Sequence, residues 1–144
     1  MRQQKEIQSF EDLKVWKCAR KLQSKISKLV KTFPKVEEYR LTNQIVRSSR
    51  SVARNIAEGY GRYHYQENIQ FCRQARGSLC ELLNDIITAC EAKYIDKSRF
   101  DTLKKDVDRC HRLLNGYIAY LKKAKKKSQV KEDETIYDLV PDNH

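Results

Sequence analysis

Between Phe10 and Leu121 the apolar residues recur in steps of three and four, in four runs separated by short polar stretches. That period puts each run on one face of an α-helix. The first run is Phe10, Leu13, Trp16, Ala19, Leu22, Ile26, Leu29 and Phe33, and it predicts a helix over about 10–32. Ser9 followed by Asp12 has the pattern of an amino-terminal cap, and Pro34 marks the stop. The second helix, about 42–60, points Ile45, Ser49, Val52, Ile56 and Tyr60 inward, with Thr42 expected as its cap. The third, about 66–93, presents Ile69, Cys72, Ala75, Leu79, Leu82, Ile86 and Cys90. The fourth, about 97–124, has the most regular stripe: Phe100, Leu103, Val107, Cys110, Leu114, Tyr117 and Leu121. Alternating steps of three and four suit helices packed at small crossing angles, and short connections suit antiparallel neighbours. No alternating strand pattern competes. The expected fold is all-α, an antiparallel up-down-up-down four-helix bundle over residues 1–127.

Val15, Val30, Val46, Phe71, Leu83, Ile87 and Ile118 lie off the main stripes. Either they widen the core, or they form a second apolar seam for self-association.

Composition agrees with this pattern. Four glycines and two prolines in 144 residues leave room for long uninterrupted helices. No apolar run is long enough to cross a bilayer, and the first residues, MRQQKEIQSFEDLK, lack the apolar core of a signal peptide. Five cysteines (Cys18, Cys72, Cys80, Cys90, Cys110) form an odd set without C-x-x-C spacing. Reduced thiols in the cytoplasm, acting as small hydrophobes on helical faces, fit that set better than a disulfide framework.

Two of the glycines fall in the corner NIAEGYGRYHYQEN, residues 55–68. A phosphate-binding glycine loop follows a strand, or carries a lysine in a Walker pattern, and this corner does neither. Gly59 or Gly61 is expected instead to take the left-handed conformation that ends a helix. Gly77 lies inside the third helix, where glycine costs about 1 kcal/mol relative to alanine. It is expected to let another helix approach closely.

The net charge of +11 changes the functional picture. Residues 128–144 hold one lysine against five acids, so the positive excess lies wholly in residues 1–127. A body this basic attracts nucleic acid, another polyanion or an acidic partner. The acidic end is expected to be a disordered tail, either merely solvated or competing for the basic surface. Arg47, Arg50 and Arg54 share one face of the second helix, with Arg62 in the corner beyond it. Their guanidinium forks suit phosphate oxygens, and they suit equally well the carboxylates of Glu58, Glu81 and Asp85 within or between subunits. Lys122, Lys123, Lys125, Lys126 and Lys127 make a basic end to the fourth helix, the best single candidate for salt-sensitive attraction to a polyanion. The lysines along the first helix read as a solvated outer face. Tyr60, Tyr63 and Tyr65 with Arg62 could stack on bases or on a neighbouring subunit.

Catalytic chemistry finds little support. A di-iron bundle site needs inward carboxylates and two Glu-x-x-His pairs, and only Asp108 with His111 comes near. Cys110-His111 lacks the spaced partners of a zinc set, and neither Ser78 nor His111 has an acid partner for a nucleophile triad. The expectation is a protein that is not an enzyme and holds no cofactor.

The segments SFEDLKVWKCAR (9–20), LTNQIVRSSRSVARNIAEGYGR (41–62), ARGSLCELL (75–83) and YID (94–96), in that order, resemble a known family. These are the small four-helix-bundle proteins encoded within intervening sequences of bacterial 23S ribosomal RNA genes. The resemblance spans about residues 9–122. It implies a basic bundle assembled as a ring-like homopentamer. It also implies kinship with the accessory proteins of diversity-generating retroelements, which act with a reverse transcriptase and nucleic acid. The sequence departs from the family in having Val52-Ala53 where a helix-two proline is frequent, and in its acidic end. Taken together, the expectation is a basic oligomer that holds RNA or single-stranded nucleic acid through repeated Arg and Lys surfaces. The competing expectation is a scaffold that docks an acidic protein such as a reverse transcriptase.

Overall fold

The structure, a computed structural model, describes residues 6–139, and the side chains of residues 6–134. Four helices carry the chain: α1 (Lys14–Leu29), α2 (Leu41–Tyr60), α3 (Tyr65–Glu91) and α4 (Lys97–Leu139). No strand occurs among the described residues. Single 3₁₀ turns at Phe10–Asp12, Val30–Thr32 and Lys35–Glu37 frame α1 and the corner after it.

The ends of the helices have local causes. Ser9 and Asp12 form the expected cap: Ser9 Oγ accepts from the Glu11 amide at 3.1 Å, and Asp12 Oδ2 accepts from the Ser9 amide at 3.3 Å. The cap serves a 3₁₀ turn, after which Leu13 turns extended and α1 begins at Lys14. Thr42 is not the cap of α2. The Leu41 amide donates instead to Glu37 Oε2 at 3.1 Å, so a carboxylate from the preceding turn satisfies the helix start and favourably meets its dipole.

Neither corner glycine is left-handed. Gly61 has φ −74°, and no glycine among the described residues has a positive φ. The left-handed residue is Lys93, with φ 64°, at the corner between α3 and α4. There the Tyr94 amide reaches back to the Ala89 carbonyl at 2.9 Å, closing the helix end in a Schellman arrangement. Gly59 matters for another reason. A Cβ at that position would lie 2.6 Å from Asn68 Oδ1, 2.9 Å from Phe71 Cβ and 3.1 Å from the Asn68 carbonyl. Glycine is needed where α2 presses against α3. Gly77 shows the reverse, because nothing lies within 4 Å of its added Cβ, and the same holds for Gly116. Among the described residues no other helix packs on Gly77.

Pairs across the seams fix the helix directions. Gly59 meets Asn68 and Ser48 meets Asp85, so α2 and α3 run oppositely. Asn68–Tyr117 with Arg76–Asn115 do the same for α3 and α4, and Cys18–Cys110 with Lys25–Asp106 for α1 and α4. The core inside is aliphatic, with Ile26, Ile45, Ile56, Leu82, Ile86 and Leu114 fully enclosed. The residues off the main stripes mostly widen this core. Val15 and Ile118 are buried, and Val30, Val46 and Leu83 pack against the core edge. Ile87 stays exposed, and Phe71 lies beneath the Arg62 guanidinium, 4.8 Å from its ring centroid.

α4 departs most from expectation. It runs through Leu139 instead of ending near 124, so residues 128–139, expected to be disordered, are helical. Residues 140–144 of that predicted tail lie outside the described residues. The continuation has a composition-level cause: the sequence has no glycine or proline between Gly116 and Pro141, and Lys, Ala, Gln and Glu fill much of the interval. At 43 residues α4 is about 65 Å long, whereas α3, with 27, is about 40 Å.

Gly59→Ala is expected to destabilise the fold by about 1–2 kcal/mol in chemical denaturation, the gain in helix propensity being smaller than the overpacking against Asn68 and Phe71. Gly77→Ala, facing open space within the chain, is expected to stabilise the chain by up to about 1 kcal/mol in the same measurement.

Candidate nucleic-acid interface

Basic side chains gather at two places. The first is a groove between α2 and α3 of about 840 Å³, lined by Arg47, Arg50 and Arg54 on one wall and by Glu81, Asn84 and Asp85 on the other. The spacing of three and four residues along α2 brings the three guanidinium groups to the same face. All three side chains are exposed, and among the described residues none forms an ion pair with Glu58, Glu81 or Asp85. Intrachain pairing, one of the two sequence-based readings of these arginines, is therefore not made.

Under the arginines the seam is polar. Ser48 Oγ lies 3.3 Å from Asp85 Oδ2, Ser51 Oγ lies 2.8 Å from Ser78 Oγ, and Asn55 Nδ2 donates to Ser51 Oγ at 3.0 Å. Ser48, Asn55, Ser78 and Asp85 are all buried. Among the described residues no buried side-chain nitrogen or oxygen lacks a partner, so the seam is a satisfied network and not a defect. Burial raises the Asp85 carboxyl above its ordinary value, the Glu81 charge adds to that, and the Ser48 hydrogen bond opposes it.

The second place is the end of the bundle where the α2–α3 corner meets α4. The helix pairing brings the start of α3 beside the lysine cluster: Tyr65 shares a groove with Lys126 and Lys127, and Lys125 Nζ donates to Gln66 Oε1 at 2.7 Å. Tyr65, Ala124, Lys126, Lys127 and Val130 line a shallow groove of about 690 Å³ between them. Tyr63 is 94% exposed and Tyr120 63% exposed, so two aromatic faces stand in solvent. Tyr120 lies nearly parallel to Tyr117, with centroids 6.4 Å apart. Tyr117 accepts from Asn68 Nδ2 at 3.2 Å, and burial pushes its phenol up to about 12, so it stays protonated. Lys122, Lys123, Lys126 and Lys127 are exposed.

The structure thus splits the predicted set: Arg47, Arg50 and Arg54 line the groove, Lys122, Lys123, Lys125, Lys126 and Lys127 lie along α4 toward the other basic site, and Arg62 sits in the α2–α3 corner, apart from the groove arginines. Arg62 is held by its contact with Phe71. Tyr120 belongs with this end and escapes sequence reasoning. Its only sequence signal is an aromatic residue three after Tyr117, off the core stripe. Among the described residues no three His, Cys, Asp or Glu side chains converge as a metal site would require.

The raised Asp85 carboxyl sets the sign of a pH effect. A group that holds its proton more tightly when folded contributes stability at low pH, and loses it as pH rises through the folded value. Asp85→Asn keeps a partner for Ser48 without the charge. It is expected to melt above the wild type at pH 7, with the difference vanishing below the ordinary carboxylate range, as thermal melts across pH would record.

Similarity of this chain to known proteins lies in its fold and its family. None of the curated proteins compared with it matches the sequence. A crystal structure of a protein of unknown function from the S23 ribosomal protein family of Bacteroides thetaiotaomicron superposes with a TM-score of 0.68 at 21% identity. The match covers 72% of this chain and 97% of that one, and at such identity it speaks for the fold alone. The sequence pattern of the family described as "23S rRNA-intervening sequence protein" matches residues 11–116, from the first 3₁₀ turn to the middle of α4. With most of the chain matched and the four helices in place, the chain belongs to the 23S rRNA-intervening sequence protein family.

Proposed function

We propose that the chain is a non-catalytic, cytoplasmic protein that associates with RNA or other single-stranded nucleic acid, working as a ring-like homopentamer. The observation that carries this reading is the groove in which Tyr65 lies with Lys126 and Lys127, with the exposed Tyr63 in the adjoining corner and the exposed Tyr120 just before the lysines of α4. Exposed aromatic faces beside cations are what a flexible strand needs: bases stack, phosphates pair, and little sequence is read. The unpaired arginines of the α2–α3 groove supply a second phosphate-sized attraction, repeated in each subunit. The pentamer is the assembly implied by the family resemblance, and a ring would multiply weak contacts on one strand by avidity. A scaffold that docks an acidic protein, such as a reverse transcriptase, is the competing reading. The same unpaired arginines favour it, since carboxylates fit a guanidinium fork as well as phosphates do.

Fluorescence anisotropy with labelled single-stranded RNA over a salt series tests the proposal. Five phosphates neutralised per strand predict a slope of about −3.5 in log K against log salt. Replacing Lys122, Lys123, Lys125, Lys126 and Lys127 by glutamine is expected to flatten the slope by about 0.7 for each phosphate that is no longer neutralised. Tyr63→Ala is expected to cost about 1–3 kcal/mol of affinity with the slope unchanged. Absence of binding at low salt would sink the nucleic-acid reading. Native mass spectrometry reads the assembly directly, and loss of the oligomer in the Arg47/Arg50/Arg54→Ala variant, with RNA affinity retained, would assign the groove to subunit contacts.

A further inference from the structure

The seam between α1 and α4 holds two thiols in contact. Cys18 Sγ lies 2.6 Å from Cys110 Sγ, well inside the separation of unbonded heavy atoms, about 3.5–4.0 Å between carbons. A covalent S–S bond is about 2.05 Å, so joining them needs a sulfur movement of about half an ångström. The two residues stand on the first and last helices, 92 positions apart in sequence. An ion pair, Lys25 Nζ to Asp106 Oδ2 at 2.6 Å, spans the same seam. The two sulfurs therefore already face each other near bonding distance across the seam.

The two sulfurs are not equivalent. Cys110 is buried and Cys18 is only half-buried, so an oxidant in solvent reaches Cys18 first. Burial also raises the Cys110 thiol above its ordinary value, with the neighbouring Cys18 adding to the shift, which keeps Cys110 protonated and slow to react alone. Cys72, also buried, is raised to about 12 and donates to Asn68 Oδ1 at 3.5 Å, which makes it an inert core residue. Cys80 is exposed in the arginine groove, and no second pair of touching sulfurs occurs among the described residues.

We propose that Cys18 and Cys110 are a modification site: an intramolecular dithiol that a hydroperoxide converts to a disulfide, locking α1 to α4. The Cys18 thiolate attacks the terminal oxygen of the hydroperoxide, the O–O bond breaks, and a sulfenic acid forms at Cys18 with release of water, or of an alcohol from an organic peroxide. The Cys110 sulfur then attacks the Cys18 sulfur and displaces the hydroxyl, which leaves as water with the Cys110 proton. Two thiols lose two electrons, the peroxide gains them, and one S–S bond remains. A dithiol reductant reverses the step by thiol exchange. The bond would close a loop spanning 92 positions, so the unfolded chain loses much of its freedom while the native packing hardly changes.

The test uses the full reduced chain, treated with one equivalent of hydrogen peroxide and then alkylated. Intact mass should show two of the five thiols lost, and non-reducing peptide mapping should show one linked peptide joining Cys18 to Cys110. The melting temperature should rise by on the order of 5–10 °C and return after dithiothreitol. Cys18→Ser should abolish both effects, and Cys80→Ser should leave both intact. Peptide mapping of the wild-type protein decides the matter even where a Cys110 variant fails to fold. A link through Cys80 between two chains, oxidation of Cys18 without a bond to Cys110, or a bond without a rise in melting temperature would each overturn the proposal.

Discussion

Helix α2 comes to rest against α3 because position 59 has no side chain. That single omission lets the backbone of α2 lie against Asn68 and Phe71, and the two residues it touches each extend the contact. Asn68 carries it across the core to the Tyr117 hydroxyl on α4. Phe71 carries it outward, giving the Arg62 guanidinium a ring to rest on. Three helices and the corner are therefore positioned from one close approach. The placement of Tyr63, Tyr65 and the α4 lysines at a common end follows from it, because the register of α3 against α4 decides which lysine meets Gln66.

The number and position of the helices are legible because burial in a bundle leaves a periodic trace, and the four apolar stripes between Phe10 and Leu121, broken only by short polar stretches, carry it. The caps are legible only where the capping side chain lies beside its helix. Ser9 and Asp12 do, and Glu37, which reaches α2 across an intervening turn, does not. The reading of Gly59 or Gly61 as a left-handed helix end fails for a related reason, although Gly61 does stand at the end of α2: sequence shows that a glycine is present, but not whether it relieves a dihedral or a contact. Lys93, which does adopt the left-handed conformation, carries no such signal.

The basic residues of the candidate site are legible as types and invisible as groups. Spacing alone places Arg47, Arg50 and Arg54 on one face. It cannot say that Arg62 parts from them to rest on Phe71, or that Tyr65 shares a groove with lysines more than fifty residues away in sequence. The same holds for Cys18 and Cys110, whose contact depends on a seam register that no local pattern encodes. The end of α4 escapes for a different reason. Charge content reads as the sign of a tail, whereas long side chains with no breaker among them are good helix material, and the helix persists.

The persistence of α4 has an electrostatic consequence. A flexible acidic tail sweeps back over its own basic surface and acts there as a tethered competitor, at an effective concentration of order millimolar. A helical one is a rod. It advances about 1.5 Å per residue away from the bundle, so Glu132 sits about 10 Å along the axis from Lys125, near or beyond the screening length of about 8 Å at physiological salt. Glu134 reaches the rim of the groove lined by Lys126 and Lys127, but the helix holds the acids in line with the lysines and keeps them from folding back over the bundle. The segment works as a charge dipole fixed in space, basic toward the bundle and acidic toward its tip, and it presents opposite signs to any second molecule that approaches along its length.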